Sequence, residues 1–377
     1  MKNQRGFSLV ELMVALVIGL IVSLAAISTA KQFSTGAMKS EAASANFNSS
    51  LAAVTQLESS IREAGLGLYN NGGLNCGFLN ASYLDAVTVN HEKVIAARIT
   101  KGADGATNSI GGQNITVAGD IITLAYASSG SAASILKSAI NQTEVNTSAQ
   151  VPPNGAAPAN SFVLLSEGGS AGNCVIRQVT SAVAAKDSND KDVTTLNFGE
   201  SGYNATGFTD EAAKSSYYVI PIGASNFTYE SWYVDRATST LRRMDLITRQ
   251  ETVMAEGVVA LRAQYGAMGA ASLDQWIGTD SVDPDWATAW SALDPTDVND
   301  LVRVRAIRVI RFALVTREAF QQKVATDACS VTSSEGIALG WGTSTFDVSD
   351  LSNWQCYAYK VSTRLITLRN ATWGAAS

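Results

Sequence analysis

The chain has 377 residues, of which 46% are apolar and 16% are charged, and its formal net charge is −6. This composition excludes a disordered chain, and the acidic balance argues against a protein whose whole surface binds nucleic acid. The single histidine, His91, makes histidine-rich metal sites and most histidine-based catalytic schemes improbable.

The apolar residues are concentrated near the N-terminus, where residues 7–30 contain one charged side chain, Glu11. A helix of this length measures about 36 Å, which is enough to cross a hydrocarbon core of about 30 Å. Lys2 and Arg5 precede it, and the positive-inside tendency places that end in the cytoplasm. A secretory signal peptide is the alternative, but its apolar core is usually shorter and no clean cleavage site follows. We therefore predict a transmembrane helix from Phe7 to Ala30.

The residues at the start of this segment stand in a specific order. A short basic leader ends in Gly6, the aromatic Phe7 follows, and Glu11 is the fifth residue counting from Phe7. This order resembles the leader of type IV pilins and type II secretion pseudopilins. The resemblance implies that residues 1–6 are a leader, that a prepilin peptidase cuts after Gly6, and that the new N-terminus, Phe7, is methylated. Loss of Lys2 and Arg5 would change the net charge from −6 to −8.

The same resemblance gives Glu11 a role in assembly. A carboxylate inside a membrane is costly unless a cation accompanies it. In the family, this carboxylate is thought to pair with the N-terminal amine of a neighbouring subunit and to bring each new subunit into register. Pairing of Glu11 with the amine of its own Phe7 is the alternative.

Beyond the membrane segment the helix is expected to continue, with residues 31–67 forming its amphipathic half. The apolar segment, residues 7–30, contains no proline, so Gly19 is its only obvious weak point. The run Gly65-Leu66-Gly67 is predicted to end the helix, because glycine accepts the left-handed conformation found at helix C-termini. Apolar residues three or four positions apart predict the buried face: Phe47, Leu51, Val54, Leu57, Ile61 and Ala64.

The remainder, residues 68–377, is predicted to form a β-rich head, so the fold class is α+β with a long helix packed on that head. Two stretches, 128–160 and 267–299, are predicted to be surface loops because they are rich in small, polar or acidic residues. The predicted strands are 87–89, 94–99, 121–126, 162–165, 217–220, 228–234, 307–315 and 359–368.

Several stretches of the head and helix end resemble PilW-type minor pilins. They are 61–65, 75–77, 241–244, 253–266, 302–309 and 315–317. This resemblance implies a minor pilin that primes assembly near the tip of a type IV pilus, with a role in motility, adhesion or DNA uptake.

The resemblance also implies partners and location. The expected partners are other minor and major pilins, the prepilin peptidase and the inner membrane. The subunit would cross the inner membrane of a Gram-negative bacterium once, with a cytoplasmic N-terminus, before display outside the cell in the pilus. A type II secretion pseudopilin of the J class and a tip adhesin head are the alternatives.

The four cysteines, an even number, suit an exported head because disulfides persist in an oxidising space. Four cysteines allow three pairings. We favour Cys76–Cys174, which would tie the segment after the helix to a strand, and Cys329–Cys356, which closes a short loop. Each disulfide is expected to add about 2–4 kcal/mol to stability.

No residues of the head are predicted to be catalytic, and neither a cofactor nor a metal is expected. His91 is placed in a polar turn, without a GxSxG-like nucleophile motif in the sequence. An aspartate cluster could chelate calcium, but it lacks EF-hand spacing and is more simply a solvated loop. Its members are Asp274, Asp280, Asp283, Asp285, Asp294 and Asp297.

Tryptophans and arginines of the head have two interpretations each. Trp276, Trp286 and Trp290 would form a contact surface or cover the core of the head itself. The arginines would form a DNA-binding stripe or, as we prefer in an acidic protein, pair with nearby carboxylates. They are Arg303, Arg305, Arg308, Arg311 and Arg317.

Overall fold

The structure is a computed structural model, and it describes most of the chain from residue 9 onward. The leader, Gly6 and Phe7 therefore lie outside the described residues. The described residues are 9–70, 73–74, 76–84, 86–102, 107–127, 134–141, 144–147, 161–167, 172–199, 201–204, 218–223, 227–268, 273–279, 290, 293–322 and 329–369.

The elements of the described residues, besides a 3-10 helix at Trp354–Cys356, are one long α-helix, a series of strands and one short α-helix, as the α+β prediction requires. In chain order they are α1 Leu9–Glu63, β1 Tyr69–Asn70, β2 Gly73–Leu74, β3 Phe78–Tyr83, β4 Ala86–Lys93, β5 Ala97–Lys101, β6 Thr107–Ile110, β7 Gln113–Thr116, β8 Asp120–Tyr126, β9 Ser134–Asn141, β10 Glu144–Thr147, β11 Phe162–Ser166, β12 Asn173–Gln178, β13 Ser181–Lys186, β14 Asp192–Asn197, β15 Tyr218–Gly223, β16 Thr228–Asp235, β17 Thr240–Asp245, β18 Glu251–Glu256, β19 Val258–Met268, β20 Leu273–Gly278, α2 Val298–Ala306, β21 Ile307–Arg317, β22 Gly336–Ala338, β23 Thr345–Asp347 and β24 Tyr359–Thr367.

Helix α1 is continuous through Gly19 and, with 55 residues, is about 82 Å long. It ends where the glycine run predicts: Gly65 and Gly67 both have positive φ, and the N–H of Gly65 donates to the carbonyl of Ala125 at 2.9 Å. The glycines thus turn the chain into the head and anchor it there.

The C-terminal part of α1 packs on the head through one face. Val54, Leu57 and Ile61 are at most 2% exposed, as their spacing predicts, but Leu51 is 43% exposed. The prediction for Leu51 was wrong because the helix meets the head from Ser50 through Ala53 and Val54, which turns Leu51 towards solvent. The side chain of Phe47 lies outside the described ones.

Three larger sheets make up the described part of the head. Their strand orders are β13-β14-β10-β9-β15-β11-β12-β3-β4, β18-β17-β16-β8-β5 and β20-β19-β21-β24, and three two-stranded sheets accompany them, β1-β2, β6-β7 and β22-β23. The second sheet, from β18 to β5, lies between two hydrophobic clusters. Trp232 faces the cluster that includes α1, and Tyr229 faces the cluster of the largest sheet.

The second and third sheets meet at Gly119. Its φ is +94°, and its backbone forms a parallel bridge with Leu261 of β19. A Cβ atom at this position would lie 2.1 Å from the carbonyl oxygen of Leu261. Only glycine permits this close approach of two backbones.

The predicted surface loops contain regular structure. Strands β9 and β10 lie within 128–160, where β9 pairs with β15 and β10 pairs with β14. In 267–299, strand β20 pairs with β19 and α2 begins at Val298. The loop predictions failed here because pairing with neighbouring strands overrides a composition poor in strand-forming residues.

The disulfides join Cys76 to Cys174 and Cys329 to Cys356, the pairing favoured from the sequence. The first disulfide links the segment before β3 to β12, and strands β3 and β12 pair in parallel. The second closes the excursion between β21 and β24.

Candidate membrane and assembly site

The N-terminal half of α1 is an apolar surface that the described head leaves uncovered. Leu9–Lys31 has a mean hydropathy of 2.7, and no part of its most apolar window is buried. Its aliphatic side chains are more than half exposed around the whole helix, from Leu9 at 76% to Ile27 at 65%. Water-soluble proteins rarely expose so large an apolar surface. By length and composition this segment is able to cross a membrane.

The few hydroxyl groups in this segment are satisfied within the helix. The hydroxyl of Ser23 donates to the carbonyl of Gly19 at 2.7 Å. Ser28 and Thr29 both donate to the carbonyl of Ala25 at 2.8 Å. These bonds remove the main cost of placing a hydroxyl in hydrocarbon. The segment therefore presents an apolar surface as well as an apolar composition, because its hydroxyl groups are hydrogen-bonded within the helix.

Glu11 is the acidic residue of the first described turn of α1, and it is exposed. The N-terminal end of a helix carries a partial positive charge, which favours a carboxylate there. From Glu11 to Lys31 the sequence contains no other charged side chain. The carboxylate is thus the one formal charge within the first 22 residues of α1, on an otherwise apolar surface.

A polar network links α1 to the second sheet, and no sequence pattern predicts it. The hydroxyls of Ser60 and Tyr126 are 3.1 Å apart, and Tyr126 donates to Glu230 at 3.3 Å. The indole N–H of Trp232 donates to the same carboxylate at 2.8 Å. Burial, followed by the charge of Glu230, raises the pKa of Tyr126, so its phenol stays protonated. The network fixes the rotation of the helix on the head.

His91 lies inside β4, and the prediction that it occupies a turn was wrong. Its φ is +51°, because a shift in the β3–β4 register opens the strand at this point. Its ring stacks on Phe78 with centroids 3.8 Å apart, and its backbone N–H donates to Asn80. These contacts give His91 a role in packing.

The described aspartates of the acidic segment make contacts within the head. Asp297 caps α2 by accepting from the backbone of Asn299 and Asp300. Asp294 forms an ion pair with Lys93 and accepts hydrogen bonds from Thr296. Asp274 lies in β20, whereas Asp280, Asp283 and Asp285 lie outside the described residues.

Of the tryptophans, Trp290 is buried and packs on Tyr265. It therefore covers the core of the head, the second of the two interpretations given above. Trp286 lies outside the described residues. Trp276 stacks on Arg311. The guanidinium carbon of Arg311 is 4.1 Å from a ring centroid of Trp276 and 5.0 Å from a ring centroid of Trp341.

The five arginines do not lie on one strand. Arg303 and Arg305 belong to α2, and Arg308, Arg311 and Arg317 belong to β21. The predicted pairing with carboxylates holds for Arg303, which contacts Asp300. Arg311 instead stacks on tryptophan, and Arg317 lies over Tyr357 at 4.4 Å.

Comparison with known proteins gives one match, and it falls on this site. Residues 1–27 match the family model of the prokaryotic N-terminal methylation motif. No curated protein and no solved structure matches the chain. The motif supports a prepilin-like N-terminus of the type IV pilin kind, and together with the apolar helix it indicates membrane anchoring.

Proposed function

We propose that this protein is a minor pilin, a structural subunit that primes assembly of a type IV pilus. The observation that carries the proposal is the continuity of α1. The methylation motif at residues 1–27 runs into an uncovered apolar helix, and the same helix ends in the core of the head at Ile61. A subunit built in this way can leave the membrane and place its apolar half among the helices of a fibre.

In this proposal a prepilin peptidase cuts after Gly6 and methylates Phe7, and Glu11 meets the N-terminal amine of a neighbouring subunit. The apolar half of α1 first spans the inner membrane, with its N-terminus in the cytoplasm, and then enters the fibre. The head works without catalysis, in contact with other minor and major pilins. The PilW-like stretches of the sequence favour a pilus over a secretion pseudopilus.

Mass spectrometry of the mature N-terminus tests the processing step. The expected product begins with N-methyl-Phe7, and Gly6→Val should leave the full leader attached. Gly19→Ala is the matched control, because a Cβ atom there meets nothing within 4 Å. A chain of mature size from Gly6→Val would contradict the proposal.

Substitution of Glu11 tests assembly separately. Glu11→Gln should be cleaved and methylated normally but should be depleted from sheared pili. Glu63→Gln is the control, since it makes the same change at an exposed position of α1 beyond the apolar segment. Equal recovery of both variants would contradict the role of Glu11. Recovery of the wild-type protein only with a type II secretion complex would identify a pseudopilin instead.

A further inference from the structure

The head contains a polar cleft of about 310 Å³ that the proposed function does not use. It lies on the face of the second sheet that points away from α1. Arg98 of β5, Thr123 of β8 and Ser231 of β16 form its floor. Thr88 and Glu92 of β4 stand on its other side.

Strand register explains why this floor is polar. Arg98 is the direct partner of Thr123, and Thr123 is the direct partner of Ser231, so the three side chains share one face of the sheet. Their neighbours Ile99 and Trp232 point to the opposite face and pack in the cluster that includes α1. The polar row is therefore not a solvated surface, because β4 and the β6–β7 turn lie against it.

The walls of the cleft are held in place by hydrogen bonds and by tight packing. Gly111 and Gly112 form the β6–β7 turn with φ values of +59° and +81°. A Cβ atom on Gly111 would lie 3.0 Å from Met244, so the turn sits closely on the sheet. Arg249 donates to the carbonyl of Thr88 at 3.5 Å, which links β4 to the same region. The cleft is thus largely formed before any ligand arrives.

The floor has hydrogen-bonding capacity beyond its internal contacts. The hydroxyls of Thr123 and Ser231 are 2.8 Å apart, and one donates to the other, which leaves one O–H donor and several lone pairs for a ligand. Arg98 uses Nη2 to donate to the carbonyls of Lys93 and Leu293. In the part of the chain that the structure describes, no carboxylate lies within ion-pair distance of Arg98. Burial raises the pKa of Tyr229 to about 12, so this cleft residue stays a neutral phenol.

From these contacts we propose that the cleft binds a saccharide of one or two sugar rings. Sugar hydroxyls both donate and accept, and the cleft offers a cation, a carboxylate and several hydroxyls at once. Leu246, which lines the cleft and is partly exposed, supplies apolar surface for the C–H face of a ring. The volume lies at the lower end of the range for small-molecule sites, about 300–1,000 Å³. The inference rests on the cleft alone and does not require the protein to be a pilin.

The test is a printed array of neutral and acidic mono- and oligosaccharides, probed with the full-length protein in a detergent without a sugar headgroup. The strongest array ligand is then titrated calorimetrically against three variants. Arg98→Gln removes the cation of the floor, and Thr100→Trp fills the cleft from β5. Lys101→Gln is the matched control, because it makes the same charge change on the same strand at an exposed position outside the cleft.

The expected result is binding of at least one saccharide, weakened about tenfold or more by Arg98→Gln and by Thr100→Trp but unchanged by Lys101→Gln. Circular dichroism establishes that each variant is folded, and if Arg98→Gln unfolds, Thr100→Trp decides the question. The proposal is overturned if no saccharide on the array binds. It is equally overturned if binding survives the filled cleft.

Discussion

The packing of α1 on the head can be tested by shortening one leucine. The side chain of Leu57 is 0% exposed in the main core. Leu57→Ala removes three carbon atoms, which at about 0.8 kcal/mol each amounts to about 2.4 kcal/mol of lost transfer free energy. The cavity left behind adds to this, so the free energy of unfolding should fall by about 2.5–5 kcal/mol.

Leu51→Ala is the matched control, since it makes the same chemical change on the same helix at a position that is 43% exposed. Its effect should stay below about 1 kcal/mol. The assay is urea unfolding of the full-length protein in mild detergent, followed by the fluorescence of tryptophan, because Trp232 is fully buried in the same core. Equal losses for the two variants would refute the orientation of α1 described above.

Three further predictions concern the head. Replacing both cysteines of Cys76–Cys174 by serine should destabilise the head by about 1 kcal/mol more than the same change at Cys329–Cys356. The reason is that the first disulfide closes a longer loop, with a sequence separation of 98 against 27. Urea unfolding of the two variants measures the difference. Gly119→Ala should lower the yield of folded protein sharply, because the new Cβ atom would meet the carbonyl of Leu261. Gly342→Ala, with open space around it, should cost only about 1 kcal/mol of backbone strain. Thermal unfolding compares the stabilities of the two variants. Burial raises the pKa of Asp294, but hydrogen bonds from Lys93 and Thr296 outweigh the effect of burial and lower the pKa to about 2. The ionised carboxylate therefore stabilises the fold above about pH 4, and this stabilisation is lost as the pH falls towards 2. Asp294→Asn should flatten the pH dependence of stability in that window by less than about 1 kcal/mol, and unfolding curves from pH 2 to pH 5 measure it.

The sequence predicts the parts of this fold that depend on local pattern. The long helix, its end at Gly65 and strands such as β16 and β21 follow from hydrophobic spacing and turn residues. Leu51 shows the limit of that reasoning, because three- and four-residue spacing fits it equally well and only the docking angle of the helix decides its exposure. In the same way, the composition of β9 predicts a loop, and only its pairing with β10 and β15 makes it a strand.

The two candidate sites differ in how far the sequence reveals them. Gly6, Phe7 and Glu11 lie within six consecutive residues, so the proposed assembly site can be predicted from the sequence alone. Arg98, Thr123 and Ser231 are separated by 25 and 108 positions in the chain, and strand register alone brings them together. Neither Arg98 nor Ser231 is distinguished from its neighbours by any local pattern.

The two disulfides also determine how the protein behaves towards proteases. A single backbone cut between Cys76 and Cys174, or between Cys329 and Cys356, leaves both pieces covalently joined. A chain nicked in either segment therefore keeps its full mass on a non-reducing gel and separates into fragments only after reduction. The spans closed in this way include strands β9 and β10 and the segment that covers Arg311 with Trp341. Fragment release without reductant would accordingly report either cleavage outside the two loops or two cuts within one of them.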